Sequence, residues 1–202
     1  MNQDQVMRWD LINHQIQKHK YNRYLEIGVD DGTCFSKVRC HYKVGVDPAA
    51  SHPVRYPVTS DIFFRHNAEV FDIIFIDGAH YSDQVDKDIA NAIGILAPGG
   101  SIILHDTNPK SEQAQQSIRV KDQTWNGDTW KSVVRFIAHH HERFSVITLD
   151  TDHGLTLIQR GVCVCRFTLP EKLTYDWLDG NRIEALNLLH MIEVQDLTKD
   201  EA

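Results

Sequence analysis

Tyr24-Leu25-Glu26-Ile27-Gly28-Val29-Asp30-Asp31-Gly32-Thr33 is the stretch on which the reading of this chain turns. An apolar run carrying one acid breaks into two glycines four residues apart, the way a buried parallel strand turns into a helix beside a ligand. Glycine permits the tight turn and close backbone approach, and the helix start that follows offers unpaired N–H groups. Alone, the turn also fits an ordinary strand-to-loop connection, so the flanking sequence must decide.

Two ligands suit such a turn. A nicotinamide dinucleotide needs Gly-x-Gly-x-x-Gly, but Asp30 stands at the second glycine and Thr33 at the third, which would set a carboxylate against a pyrophosphate. S-adenosylmethionine has no phosphate and carries positive ammonium and sulfonium groups, so a turn flanked by Glu26, Asp30 and Asp31 suits it better. A second short strand, Lys43-Val44-Gly45-Val46, ends at Asp47, 21 positions after Glu26. That is near the roughly 20-residue spacing of an acid that holds ribose hydroxyls. Before Pro48, Asp47 would serve equally as a turn residue.

The 202 residues suit one α/β domain spanning 1–202, large enough to bury a core without disulfides. A formal charge of −7 and no dense Lys/Arg block argue against nucleic acid as the main partner. No run approaches the 18 or so apolar residues of a membrane span, and the first residues lack the pattern of a signal peptide, so a cytoplasmic protein with no membrane partner is expected. Cys34, Cys40, Cys163 and Cys165 lack Cys-x-x-Cys spacing and read as buried thiols rather than a zinc site.

Val6, Trp9, Leu11, Ile12 and Ile16 predict a helix within residues 1–20 that covers a sheet edge or the ligand mouth. Strands are expected near 23–28 and 42–47, then a proline-marked connection, then a short helix capped by Ser60 or Asp61. Phe71-Asp72-Ile73-Ile74-Phe75-Ile76-Asp77 has the continuous apolar character of a central parallel strand. Residues 82–96 repeat at helical spacing, Ala97-Pro98-Gly99-Gly100 stops them, and Ser101 to Leu104 form another strand ending at His105-Asp106. Residues 107–128 are polar and without apolar periodicity, the pattern of a lid or substrate loop. Asp128 can cap a helix through about 141, whose end carries His139-His140-His141 as a solvated cap. Residues 144–149 and 154–160 read as an antiparallel pair, and Asp176 to Met191 as a terminal helix.

Ligands collect outside the carboxyl ends of strands in open parallel sheets. Four such ends carry acids or histidines: Glu26 to Gly32, Asp47, Asp77-Gly78-Ala79-His80, and His105-Asp106-Thr107-Asn108. Together with Ser60-Asp61 and Pro98-Gly99-Gly100, this order resembles the class I S-adenosylmethionine-dependent methyltransferases. Within them it is most similar to a bacterial group sharing Ile-Asp-Gly-x-His and His-Asp signatures. Trp125-Asn126-Gly127-Asp128-Thr129-Trp130-Lys131 also resembles that group, so the likeness spans roughly residues 20 to 160. It implies a Rossmann-like, doubly wound, mostly parallel seven-stranded sheet with an antiparallel terminal strand and helices on both faces.

The resemblance also implies roles. Glu26, Gly28 and Gly32 would shape the methionine and ribose pocket, with Asp30 departing from a common glycine. Asp47 would bind ribose, Ser60 and Asp61 would meet the adenine edge, and Asp77 would face the methyl donor and acceptor. Methyl transfer to oxygen needs orientation and a base, for which His80 and His105, beside Asp106, are the candidates. A divalent cation, magnesium or manganese, held by Asp77 and Asp106 is the alternative, since related metal-dependent O-methyltransferases place acids at those two points. Here Thr107 replaces the usual following Asn. The expected function is therefore O-methylation of a small-molecule or sugar-like acceptor. A non-catalytic adenosyl-binding subunit is the competing reading, and Trp9 and the terminal helix could bury surface in a homo-oligomer.

Overall fold

The computed structural model describes residues 6–116, 118, 119 and 123–189. Its framework is one seven-stranded sheet. The strands are β1 (Arg23–Ile27), β2 (Tyr42–Val46), β3 (Phe71–Ile76), β4 (Leu96–Leu104), β5 (Phe144–Leu149), β6 (Leu155–Arg160) and β7 (Leu188–Leu189), in the spatial order β2-β1-β3-β4-β6-β5-β7. The first four pair in parallel, β6 runs antiparallel between β4 and β5, and β7 adds in parallel to β5. β2, β1 and β3 are in matched register, Ile27 facing both Val46 and Ile76, so their carboxyl ends finish level.

Alternation along the strands divides the core in two. Ile73, Phe75 and Ile103 point to the face covered by α1 (Arg8–His19), through Leu11, Ile12 and Ile16, and by α2 (Thr33–Lys37), through Cys34. Leu25, Ile74, Ile76 and Ile102 point to the other, beneath α3 (Ser60–His66), α4 (Ser82–Gly94), α5 (Trp130–His140) and α6 (Tyr175–Leu186). Helices on both faces give the expected doubly wound architecture.

Four sequence readings are corrected. The helix expected from Asp176 to Met191 ends at Leu186, because Asn187 enters the left-handed region at φ 46°, a conformation Asn tolerates. Leu188 and Leu189 then pair with β5, while Met191 lies outside the described residues. Neither Ser60 nor Asp61 caps α3; the Thr59 hydroxyl accepts from Ile62 N–H at 3.4 Å. Asp128 does not cap α5. Its carboxylate accepts the Ser82 N–H at 2.6 Å and so serves the start of α4. Finally, Leu96 already belongs to β4, and residues 97–100 form an excursion within that strand: Phe71 faces Leu96, whereas Ile73 faces Ser101.

Candidate active site

A cavity of about 1100 Å³ opens over the carboxyl ends of β1 to β4, between α1 and the loop that follows β4. Glu26, Gly28, Asp30, Asp47, Ser60, Asp61, Asp77, His80, His105 and Asp106 all line it, so all but one of the sequence-predicted site residues meet at one crevice. The exception is Gly32. It N-caps α2 at φ 77°, and a Cβ on it would strike the His52 ring at 2.3 Å. Gly28 is required by close packing of two strand ends: a Cβ there would stand 2.4 Å from the Asp77 carbonyl oxygen.

The β1 turn is braced from β2. Asp47 Oδ2 accepts the N–H groups of Val29 and Asp30 at 2.9 Å each, and Oδ1 accepts that of Ala49 at 2.7 Å. A carboxylate offers about four acceptor positions, so roughly one remains for a ligand hydroxyl. Asp30 takes the glycine position with φ 49°, in the left-handed region where Asp is among the better-tolerated residues. At the opposite end of the pocket, Gln84 Nε2 lies 3.3 Å from Ser60 Oγ, 3.0 Å from Asp61 Oδ1 and 3.1 Å from Asp88 Oδ1. Burial raises the Asp88 pKa to about 6 despite the donors from Ser60 and Gln84.

Between β3 and β4 lies a compact charged cluster. His105 Nδ1 is 3.1 Å from Asp77 Oδ1 and 3.1 Å from Asp106 Oδ2, and its Nε2 is 3.5 Å from Asp152 Oδ1. Burial disfavours the imidazolium, but the three carboxylates more than offset it, so the His105 pKa stands well above the ordinary value. His80 Nδ1 lies 3.0 Å from Asp106 Oδ2, close enough for strong charge attraction though not aligned as a hydrogen bond. Its pKa is also raised: burial opposes the charge, and Asp106 and then Asp77 favour it. The His80 side chain keeps 19% of its surface exposed and that of His105 only 3%, so His80 is the ring an incoming molecule reaches. Asp106 is held below the usual carboxylate range by these two histidines, which outweigh its burial, and its Oδ1 accepts from Asn126 Nδ2 at 2.8 Å.

Two members of this cluster are not legible in the sequence. Arg8, at the start of α1, donates from Nη1 to Asp77 Oδ2 at 2.7 Å and from Nε and Nη2 to the two oxygens of Asp152 at 2.9 and 3.0 Å. Asp152 lies in the turn between β5 and β6, and Arg8 is the first residue of α1. Only the folding of α1 over the sheet joins them. One physical sign in the backbone does mark the site. Among the described residues, eight other than glycine have positive φ, and two of them, Lys20 and Asn187, follow helix ends. The other six, Asp30, Ala79, His80, Asp106, Asp152 and His153, all lie in the turns that build this crevice. Such strain collects where surrounding contacts over-determine the chain.

Asp77, His80 and Asp106 each offer a donor atom, all within 4.8 Å of one another. A nitrogen with two carboxylate oxygens fits manganese, iron or zinc, and less well magnesium, which prefers oxygen alone.

Residues 42–107, from β2 to just past β4, match the family described as a methyltransferase domain. No curated protein matches the chain in sequence. Among solved structures, an O-methyltransferase from Bacillus cereus in complex with SAH is 18% identical, with 79% of this chain and 84% of that chain covered and a TM-score of 0.57. TomG from Streptomyces achromogenes, an O-methyltransferase involved in tomaymycin synthesis and solved with SAM, is 13% identical over 79% and 83%, with a TM-score of 0.52. The SAH-bound methyltransferase PaMTH1 of Podospora anserina is 17% identical over 75% and 76%, with a TM-score of 0.53. At such identities the likeness is one of fold, and the family match adds the domain type. Residues 42–107 thus match a methyltransferase domain, and the chain as a whole shares the fold of these methyltransferase structures.

Proposed function

We propose that the protein transfers a methyl group from S-adenosylmethionine to a hydroxyl of a small-molecule or sugar-like acceptor, with His80 as the base. The observation that carries this reading is the position of His80: on the pocket wall, partly exposed, against an Asp106 carboxylate that Asn126 holds from the other side. S-adenosylmethionine brings an already activated methyl group, so the residues have to orient the acceptor oxygen in line with it and accept its proton.

Glu26, Gly28, Asp30 and Asp47 would hold the methionine and ribose parts, Gly32 would shape the turn from behind, and Ser60 and Asp61 would meet adenine, with Gln84 fixing the Asp61 carboxylate. Asp77 would face the reacting groups. Asp106 would stabilise the imidazolium that forms on His80. His105, enclosed by three acids, would hold their charge together rather than exchange protons. The loop 107–128 would close over the acceptor as a lid on a single catalytic domain, and the four free thiols agree with a cytoplasmic setting.

A second reading rests on the Asp77–His80–Asp106 group: a divalent cation bound there would lower the pKa of the acceptor hydroxyl, and His80 would then be a ligand and not the base. A metabolite screen for methyl acceptors, run with and without chelator, separates the two. The base reading expects turnover that survives chelation and falls about a hundredfold or more in His80→Ala. Loss of turnover on chelation, restored by manganese, sinks it in favour of the metal. Binding of S-adenosylmethionine with no acceptor found, and with that binding unchanged in His80→Ala, Asp106→Ala and His105→Ala, would point to a non-catalytic binding subunit.

A further inference from the structure

Trp125-Asn126-Gly127-Asp128 packs as a unit on His80 and Asp106, and beyond the Asn126 bond to Asp106 it has been given no role. The Trp125 indole lies flat on the His80 ring, centroids 4.7 Å apart and planes 7° from parallel. Its Nε1 donates to Gln116 O at 2.6 Å, and Asn126 N–H donates to Ala114 O at 2.7 Å, which ties the segment to the other limb of the loop after β4. Asn126 also carries the 2.8 Å bond to Asp106. Gly127, at φ 61°, packs against the His80 backbone so closely that a Cβ would stand 2.0 Å from the His80 carbonyl oxygen. Asp128 N–H donates to that same oxygen at 3.1 Å, while its carboxylate holds the Ser82 N–H.

His80 needs such support. It and Ala79 sit at φ 53° and 60°, two consecutive left-handed residues with side chains, an arrangement that persists only when neighbours over-determine it. We propose that Trp125–Asp128 is a strap that fixes His80 in this strained turn and links its ring to the acceptor-side loop, with Trp125 and Gly127 as positioning residues. The catalytic meaning of the strap rests on the reading of His80 as base; its structural claim does not.

The test uses the full chain with bound S-adenosylhomocysteine and isotope-labelled histidine, the His80 ring signals being assigned with His80→Gln. The indole should shift those signals upfield at fixed pH. Trp125→Leu and Gly127→Ala should abolish the shift, Trp125→Phe should restore much of it, and affinity for S-adenosylhomocysteine should stay within about twofold of the parent. Unmoved His80 signals in folded Trp125→Leu overturn the strap. So does a parallel loss of S-adenosylhomocysteine affinity, which would make the segment general scaffold. If Gly127→Ala does not fold, the Trp125 pair decides. Full turnover in His80→Ala would instead refute the base and leave the ring signals to judge the strap.

Discussion

Glu26 is 1% exposed, and the hydroxyl of Tyr24 donates to its carboxylate. The nearest lysine, Lys43, spends its ammonium on the carbonyls of Phe35 and Val38. Burial therefore raises its pKa to about 8, the Tyr24 bond opposing and the Asp77 charge assisting. A carboxyl whose pKa is higher folded than unfolded contributes most to stability below its unfolded value, and the contribution is lost as pH rises through the folded one. Thermal melts of the unliganded chain should thus show stability falling between about pH 4.5 and about pH 8, with a smaller fall in Glu26→Gln. Equal slopes would mean that Glu26 ionises normally. The sequence marks Glu26 as a ligand-facing acid because it ends a strand before a glycine turn. It does not reveal the protonation state, which depends on how much water the fold leaves around the group.

At the scale of elements, α1 is joined to the turn between β5 and β6 by the Arg8–Asp152 pair, whose partners are 144 residues apart in the chain. Asp152 is buried, and Arg8→Met leaves its carboxylate with His105 as its only cationic neighbour, so the protein should be destabilised by up to about 3 kcal/mol at neutral pH. Urea unfolding of Arg8→Met, Asp152→Asn and the double variant measures it. The double variant should recover part of the loss; simple additivity would show that the pair is not coupled. His105 and Arg8 lower the Asp152 pKa below its ordinary value against the effect of burial. Its stabilisation is therefore present above the carboxylate range and lost in acid, where the penalty of Arg8→Met should shrink. The sequence reading succeeded for elements with strong periodicity, such as β3 and α4, and failed where an end depended on a distant partner. Asp128 looked like a cap for the helix that follows it and serves α4 instead, its carboxylate taken by the N–H of Ser82, 46 residues earlier in the chain.

For the molecule as a whole, the level carboxyl ends of β1 to β4 turn four separate sequence signals into one cavity. A ligand that binds the folded chain alone stabilises it by about 2.7 kcal/mol at a hundred times its Kd. S-adenosylhomocysteine at that excess should therefore raise the thermal midpoint by about 5–10 °C for a domain of this size. NAD at the same concentration should leave the midpoint unchanged, since Asp30 and Thr33 line the turn where a pyrophosphate would need glycines. A rise with NAD, or none with S-adenosylhomocysteine, would refute the ligand assignment. None of the described helices is long and apolar enough to cross a membrane.

The strands, the glycine turn and the acids at strand ends were set by the sequence by itself, because apolar periodicity and turn chemistry act over a few neighbouring residues. Only the tertiary structure decided that β7 adds to β5, that Arg8 meets Asp152 and Asp77, that a tryptophan covers His80, and that burial raises the Glu26 pKa while three carboxylates raise that of His105. Those outcomes depend on distances between segments remote in the chain and on the water excluded when they meet, neither of which a local pattern encodes.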